Sequence, residues 1–209
     1  MYKKFIFMIC AAVFLGAPAF AIDWSTDKAH SSVNFEVSHL VISTVTGAFT
    51  DFEGKVSNFD GKDLTNASVE FTVQTTSVNT QNENRDKHLR SEDFFDVAKF
   101  PTMTFKSKKV IPGEGKKFQI VGDLTIKETT KEVTFDCVFN GAIQNPFSKD
   151  GGMKAGFSAK TTINRQDYKV TWNRALDGGG FVAGDDIDII IQLELNQVMP
   201  EKPAATPGK

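Results

Sequence analysis

Cysteine is nearly absent from these 209 residues, with only Cys10 and Cys137 present. Cys10 falls in an N-terminal leader described below, so the mature chain keeps one thiol and can form no internal disulfide. A chain without cross-links relies on its core, and about 190 residues can bury one of sufficient size. Cys137 sits in an apolar alternating stretch, which points to a buried, inert thiol. Histidine is almost as scarce: His30, His39 and His88 share no metal-ligand spacing, so neither a metal nor another cofactor is expected. The nucleophile elbow, the phosphate loop, the dinucleotide glycine fingerprint and the paired-histidine helix are missing too. The chain is therefore read as a binding protein and not an enzyme.

Excess positive charge is also lacking. With the leader's two lysines removed, 22 basic residues face 26 acidic ones, which argues against a nucleic-acid partner and against a general attraction to anionic membranes. The longest apolar run, Phe5 to Leu15, is shorter than the roughly 20 residues of a membrane-spanning helix. That run follows Lys3 and Lys4 and precedes the small residues of Ala19-Phe20-Ala21, the three-part layout of a secretory signal peptide. Residues 1–21 are expected to be a cleaved leader, with an exported mature chain starting at Ile22. One domain is expected over 22–198, followed by a Pro/Ala-rich tail, 199–209, without structure.

Phenylalanine is abundant: 19 residues, against two Tyr and two Trp. Phe adds apolar area with no polar atom to satisfy, which suits a dry interior. The dominant period past the leader is two, the period of strands. Val33, Phe35, Val37 and His39 share one face of a first strand. A segment from Thr46 to Phe59 follows, interrupted by Gly47 and Gly54, which are read as bulges or bends where a barrel turns. Further strands pass through Val69-Phe71-Val73, Met103 and Phe105, Phe118 to Ile126, Val133 to Phe139, Ala155 to Ile163, and Ile187 to Leu195. Each has one apolar face to bury, either in a two-sheet sandwich or in a sheet closed on itself. Eight strands are about the number at which a closed barrel holds one small ligand. Two segments break the pattern. Residues 80–97 offer a short helix capped by Asn82, with Leu89 and Phe95 facing inward. Residues 164–184 form a long connection with three consecutive glycines, the kind of loop that is usually functional.

His39 lies on the apolar face of its strand. It is either a hydrogen-bonded core histidine or a polar group at a pocket mouth that orients a ligand head. The stretch Arg85-Asp86-Lys87-His88-Leu89-Arg90 sets cations beside the aromatic pair Phe94-Phe95. This suits an amphipathic ligand, a polar head over an apolar tail. Alternatively it is a solvated helix face with Arg85 and Arg90 paired to Asp86, Glu92 or Asp93.

Several spaced motifs resemble the YceI-like family of bacterial exported proteins. They are His30-Ser31-Ser32-Val33-Asn34-Phe35 with His39-Leu40, Ser77-Val78-Asn79-Thr80, Arg85-Asp86-Lys87-His88-Leu89, and Asp93-Phe94-Phe95-Asp96-Val97 with Phe100-Pro101. Gly122-Asp123-Leu124-Thr125-Ile126, Gly156-Phe157 and Ile163-Asn164-Arg165 continue the series, and the likeness spans 22–198. The resemblance implies an all-β, extended antiparallel lipocalin-like barrel in the periplasm. It also implies an internal cavity for a polyisoprenoid, an isoprenoid quinone or a fatty-acid derivative. The tail would then lie among Phe35, Phe71, Phe105, Phe135 and Phe157, with His39, Arg85 and His88 at the head-group end. One position departs from the pattern: the family has an Asp-Phe-Gly-like turn after Asn164-Arg165, where this chain has Asp167-Tyr168-Lys169. Two other readings stay open at this point. One is an interaction module for a membrane electron-transfer partner, favoured by a solid core. The other is a lipid-acting enzyme using His39 or His88 as base, for which no nucleophile is evident.

Overall fold

A computed structural model describes residues 22–149 and 151–199. The expected leader and the tail from residue 200 lie outside the described residues. Strands with one apolar face have closed on one another, which buries that face without a second sheet. The elements are β1 (Asp23–Thr26), β2 (Ser32–His39), β3 (Ser43–Phe49), β4 (Phe52–Ser57), β5 (Ser68–Gln74), β6 (Val78–Asn79), α1 (Glu83–Arg90), β7 (Thr102–Pro112), β8 (Lys117–Ile126), β9 (Thr129–Gln144), β10 (Met153–Asn164) and β11 (Ala183–Gln197).

All pairings are antiparallel, in the order β1-β4-β5-β7-β8-β9-β10-β11-β2-β3-β6, with β1 also paired to β11. Three pairs of consecutive strands, β1 with β2, β3 with β4 and β5 with β6, are halves of bent staves. Counted so, the wall has the expected eight staves. The long β11 closes it, pairing with β2 along its first part and with β1 through Leu195–Gln197. The bend between β3 and β4 is held across to the neighbouring stave. The Thr50 N–H donates to the Ser77 carbonyl at 3.2 Å, and the Gln74 N–H to the Asp51 carbonyl at 2.9 Å.

The bend therefore falls at Thr50–Asp51 and not at Gly47 or Gly54, which corrects the reading of those glycines. The registers of β2 with β3 and of β4 with β5 run through both glycines unbroken. Gly47 lies opposite Phe35 and Gly54 opposite Phe71. A Cβ at either would overlap the facing ring, so each glycine makes room for a phenyl ring laid along the wall.

The two ends of the barrel differ. At the lower end Trp24, Phe59, Phe118, Cys137, Phe157 and Leu195 form a packed core. Trp24 is fully buried and its indole N–H donates to the Phe59 carbonyl at 2.8 Å. Burial pushes the Cys137 thiol up to about 12, the inert state read from its setting. At the upper end α1 and the connection from 165 to 182 form a cap over the barrel. Asn82 caps α1 as expected, its side chain accepting from the Arg85 N–H at 3.0 Å. Leu89 and Phe95 pack inward on the upper core.

Candidate functional site: an apolar two-chambered cavity

The rings of Phe35 and Phe71 lie against the wall, over glycines, and so do not fill the lumen. Two chambers remain. The lower, about 130 Å³, is lined by Val69, Phe71, Phe105, Ile120, Phe135 and Leu193 among others. The upper, about 450 Å³, lies beneath the cap and is lined by Val37, Val45, Leu89, Phe94, Tyr168 and Trp172 among others. Phe35, Phe49, Met103, Ile126 and Ile189 line both chambers, so the two adjoin one another inside the barrel. The upper volume alone falls in the usual range for a small-molecule site, roughly 300–1,000 Å³.

Four of the five phenylalanines named from the sequence line these chambers. Phe35 faces both chambers, and Phe71, Phe105 and Phe135 face the lower one. Phe157 does not join them. It is buried in the lower core against Phe59, Phe118 and Phe139, with ring centroids 5.2–6.2 Å away. Its strand alternation is correct, but a family of packed rings closes that end. His39, Arg85 and His88 all line the upper chamber, although they come from β2 and α1. The fold thus brings the three proposed head-group residues to one end.

Their partners differ from the carboxylates considered above. Arg85 donates to the Thr80 hydroxyl at 2.7 Å and the Thr80 carbonyl at 2.8 Å. Thr80 in turn donates through its N–H and hydroxyl to the buried Asp86, at 2.8 and 2.6 Å. Arg90 donates to the carbonyls of Thr76 and Val78. These groups tie α1 to the strand before it. His88 is paired as a surface face would pair, at 2.9 Å from Asp93. Its ring also sits edge-on to Phe94 and Trp172, with centroids 5.0 and 4.8 Å away.

The other half of the cap is the connection that the sequence marks as functional, although it assigns no role there to Arg165 or Tyr168. Arg165 is 5% exposed and donates to the carbonyls of Gly184, Val170 and Trp172 at 2.6–2.9 Å, and to Asp185 at 3.0 Å. It fastens the connection to the start of β11. Burial holds its guanidinium below its ordinary pKa, against the pull of Asp185. Tyr168 is buried, burial pushes its hydroxyl up to about 12, and that oxygen has no hydrogen-bond partner among the described residues. The departure at Lys169 leaves the turn intact. Lys169 adopts the left-handed conformation, φ 58° and ψ 29°, that glycine would take freely. A polar loop of mixed composition gave no periodic signal for any of these residues.

Comparison with known proteins agrees with the architecture. The YceI-like domain model matches residues 24–195. A UPF0312 protein of Staphylococcus aureus (strain N315) is 41% identical over 165 residues, covering 79% of this chain and 92% of that one. The solved structure of a Campylobacter jejuni YceI protein is 36% identical, with a TM-score of 0.66 over 83% of this chain and 96% of that one. A polyisoprenoid binding domain from Saccharophagus degradans shares the fold at 14% identity, with a TM-score of 0.61 over 84% of this chain and 98% of the other. The family match spans residues 24–195, nearly every described residue, and the chain belongs to the YceI-like family.

Proposed function

We propose that this protein is exported to the periplasm and binds one long-chain amphipathic lipid, a polyisoprenoid or isoprenoid quinone, along the axis of its barrel. The observation that carries the reading is the pair of adjoining apolar chambers inside the barrel, with His39, Arg85 and His88 gathered at the capped end. A long tail removed from water there gains roughly 25 cal/mol for each Å² of apolar surface buried. The head would lie near His39, Arg85 and His88. The polyisoprenoid binding domain from Saccharophagus degradans, which shares the fold, supports the ligand class. The chambers favour this reading over an interaction module, which a barrel packed solid throughout would have supported. Export rests on the leader layout of Lys3, Lys4, the Phe5–Leu15 run and Ala19-Phe20-Ala21.

Mass spectrometry of solvent extracts from purified protein tests the ligand. A stoichiometric long-chain isoprenoid is expected. Extracts free of lipid, together with no uptake of added solanesol (a long-chain polyprenol), would overturn the reading.

A further inference from the structure

Beside the upper chamber is an apolar surface that the barrel does not need for folding. Val41 and Ile42, in the hairpin between β2 and β3, are 69% and 84% exposed. Their backbone is unusual. Leu40 and Val41 take consecutive left-handed conformations, with φ 54° and 63°. The Ile42 N–H donates to the His39 carbonyl at 3.2 Å, closing a mirror-image turn of the kind that favours Asn-Gly. A β-branched residue at positive φ is a steric outlier. Asn-Gly would satisfy the turn and the solvent together, yet this chain sets aliphatic side chains there. An outlier of this kind points to a role outside the fold.

Other features meet at the same place. No residue from Leu40 to Thr50 is charged. Between Ser43 and Gly47, β3 pairs with β2 on one side, while on the other β6 reaches just Ala48 and Phe49. Among the described residues the wall therefore has a seam there, and that edge lacks the Lys or Pro that usually guards one. The Leu40 N–H donates to the Val182 carbonyl at 2.9 Å, which sets the loop carrying Phe181, 52% exposed, beside the hairpin tip. His39, Val45 and Val182, adjoining the tip and the seam, line the upper chamber.

We propose that this tip docks the barrel on a lipid bilayer: Val41, Ile42 and Phe181 enter the membrane interface, and the seam along β3 admits a lipid tail to the upper chamber. The proposal rests on the lipid-binding reading above. An apolar cargo is costly to expose to water, and an apolar rim lets it pass from bilayer to cavity without full exposure. A bilayer suits the surface better than a protein strand does. An added strand would satisfy the edge of β3 but leave the tip side chains in water, whereas the membrane interior covers them. The adjoining loop carries Arg174 and Asp177, of opposite sign, so the contact is apolar, needs no anionic lipid and survives high salt.

The test is flotation of the full chain with phosphatidylcholine vesicles at low and high salt. In the double variant Val41→Asn, Ile42→Ser the fold is kept, because Asn tolerates the left-handed conformation. Its bound fraction should fall by roughly tenfold or more. Phe147→Ser, which removes an exposed ring at the opposite end of the barrel, should leave binding unchanged. Wild-type binding by the double variant, or failure of the unmodified chain to float, overturns the proposal. So does a dimer in size-exclusion chromatography that the same double substitution dissolves. Solanesol uptake separates this proposal from the cavity reading. The double variant should load like the unmodified chain from detergent micelles, and roughly tenfold slower from vesicles. Equal loading from vesicles refutes the docking role and leaves the cavity standing. No uptake from either source by a chain that floats refutes the cavity and, with it, the loading role, while the membrane contact stands.

Discussion

Phe105 and Phe135 meet edge to face on the wall of the lower chamber, with centroids 5.2 Å apart and ring planes at 77°. Phe135 is 7% exposed, whereas its neighbour Thr134 faces solvent. Phe135→Asp removes the ring contact and sets a carboxylate in an apolar wall. It should cost roughly 3–5 kcal/mol of stability and yield protein without extractable lipid. Thr134→Asp should change neither. Denaturant melts and extract mass spectrometry read both outcomes. Wild-type lipid content in folded Phe135→Asp protein would show that this face does not hold the tail.

Met103 lines both chambers and lies at their junction. Met103→Trp should obstruct the passage between them and confine a ligand to the upper chamber. The expected result is a shift of the bound lipids to shorter chains, seen in the mass distribution of the extract. An unchanged distribution would mean that the tail does not run through the junction.

Lys169 holds a left-handed backbone where the family pattern has glycine. Lys169→Gly should raise stability by roughly 1 kcal/mol, the relief of a side chain from that conformation less the entropy glycine gives up. The lost ion pair with Glu128 is solvent-exposed on both sides and contributes little. A fall in the thermal midpoint would refute this account of the turn.

Tyr168→Phe removes a buried hydroxyl that has no partner among the described residues and restores the ring of the family pattern. Leaving such a group unsatisfied costs about 1–3 kcal/mol, so the variant should be more stable than the natural chain by an amount toward the lower end of that range. Calorimetry of the ligand-free protein measures it.

Lys154 donates to both Asp27 and Glu194 beside β1, and its own side chain is 13% exposed. That hydrogen bond is the main cause holding the Asp27 carboxyl well below the usual carboxylate range, with help from His30 and against the effect of burial. A carboxyl depressed in the folded state contributes stability that is complete above its unfolded value of about 3.9 and is lost as pH falls through the folded value. Lys154→Met should therefore cost roughly 2 kcal/mol near neutrality, and its gap to the natural chain should narrow as pH drops below about 4. A gap independent of pH would mean the lysine acts through packing alone.

Strand periodicity in the sequence was enough to read an eight-stave wall with one apolar face, because alternate side chains must point to opposite sides of a pleated strand. Asn82 marked the helix start by the same kind of local chemistry. Local pattern is silent on what lies across the barrel. The glycines at 47 and 54 looked like bends because nothing in the chain says that Phe35 and Phe71 face them, 12 and 17 residues away. That pairing keeps the two rings on the wall and the lumen open. Phe157 looked like a cavity residue because alternation gives a side and not a depth, and only the convergence of Phe59, Phe118 and Phe139 shows that the lower end is closed. The cap arose in the same way: Arg85 stood between a head-group contact and a solvated face, Arg165 was only part of a motif, and tertiary structure alone set carbonyls where the half-buried Arg85 and the buried Arg165 needed acceptors. Sequence determined which side chains face inward. The three-dimensional closure of the sheet decided which of them pack together and which leave room.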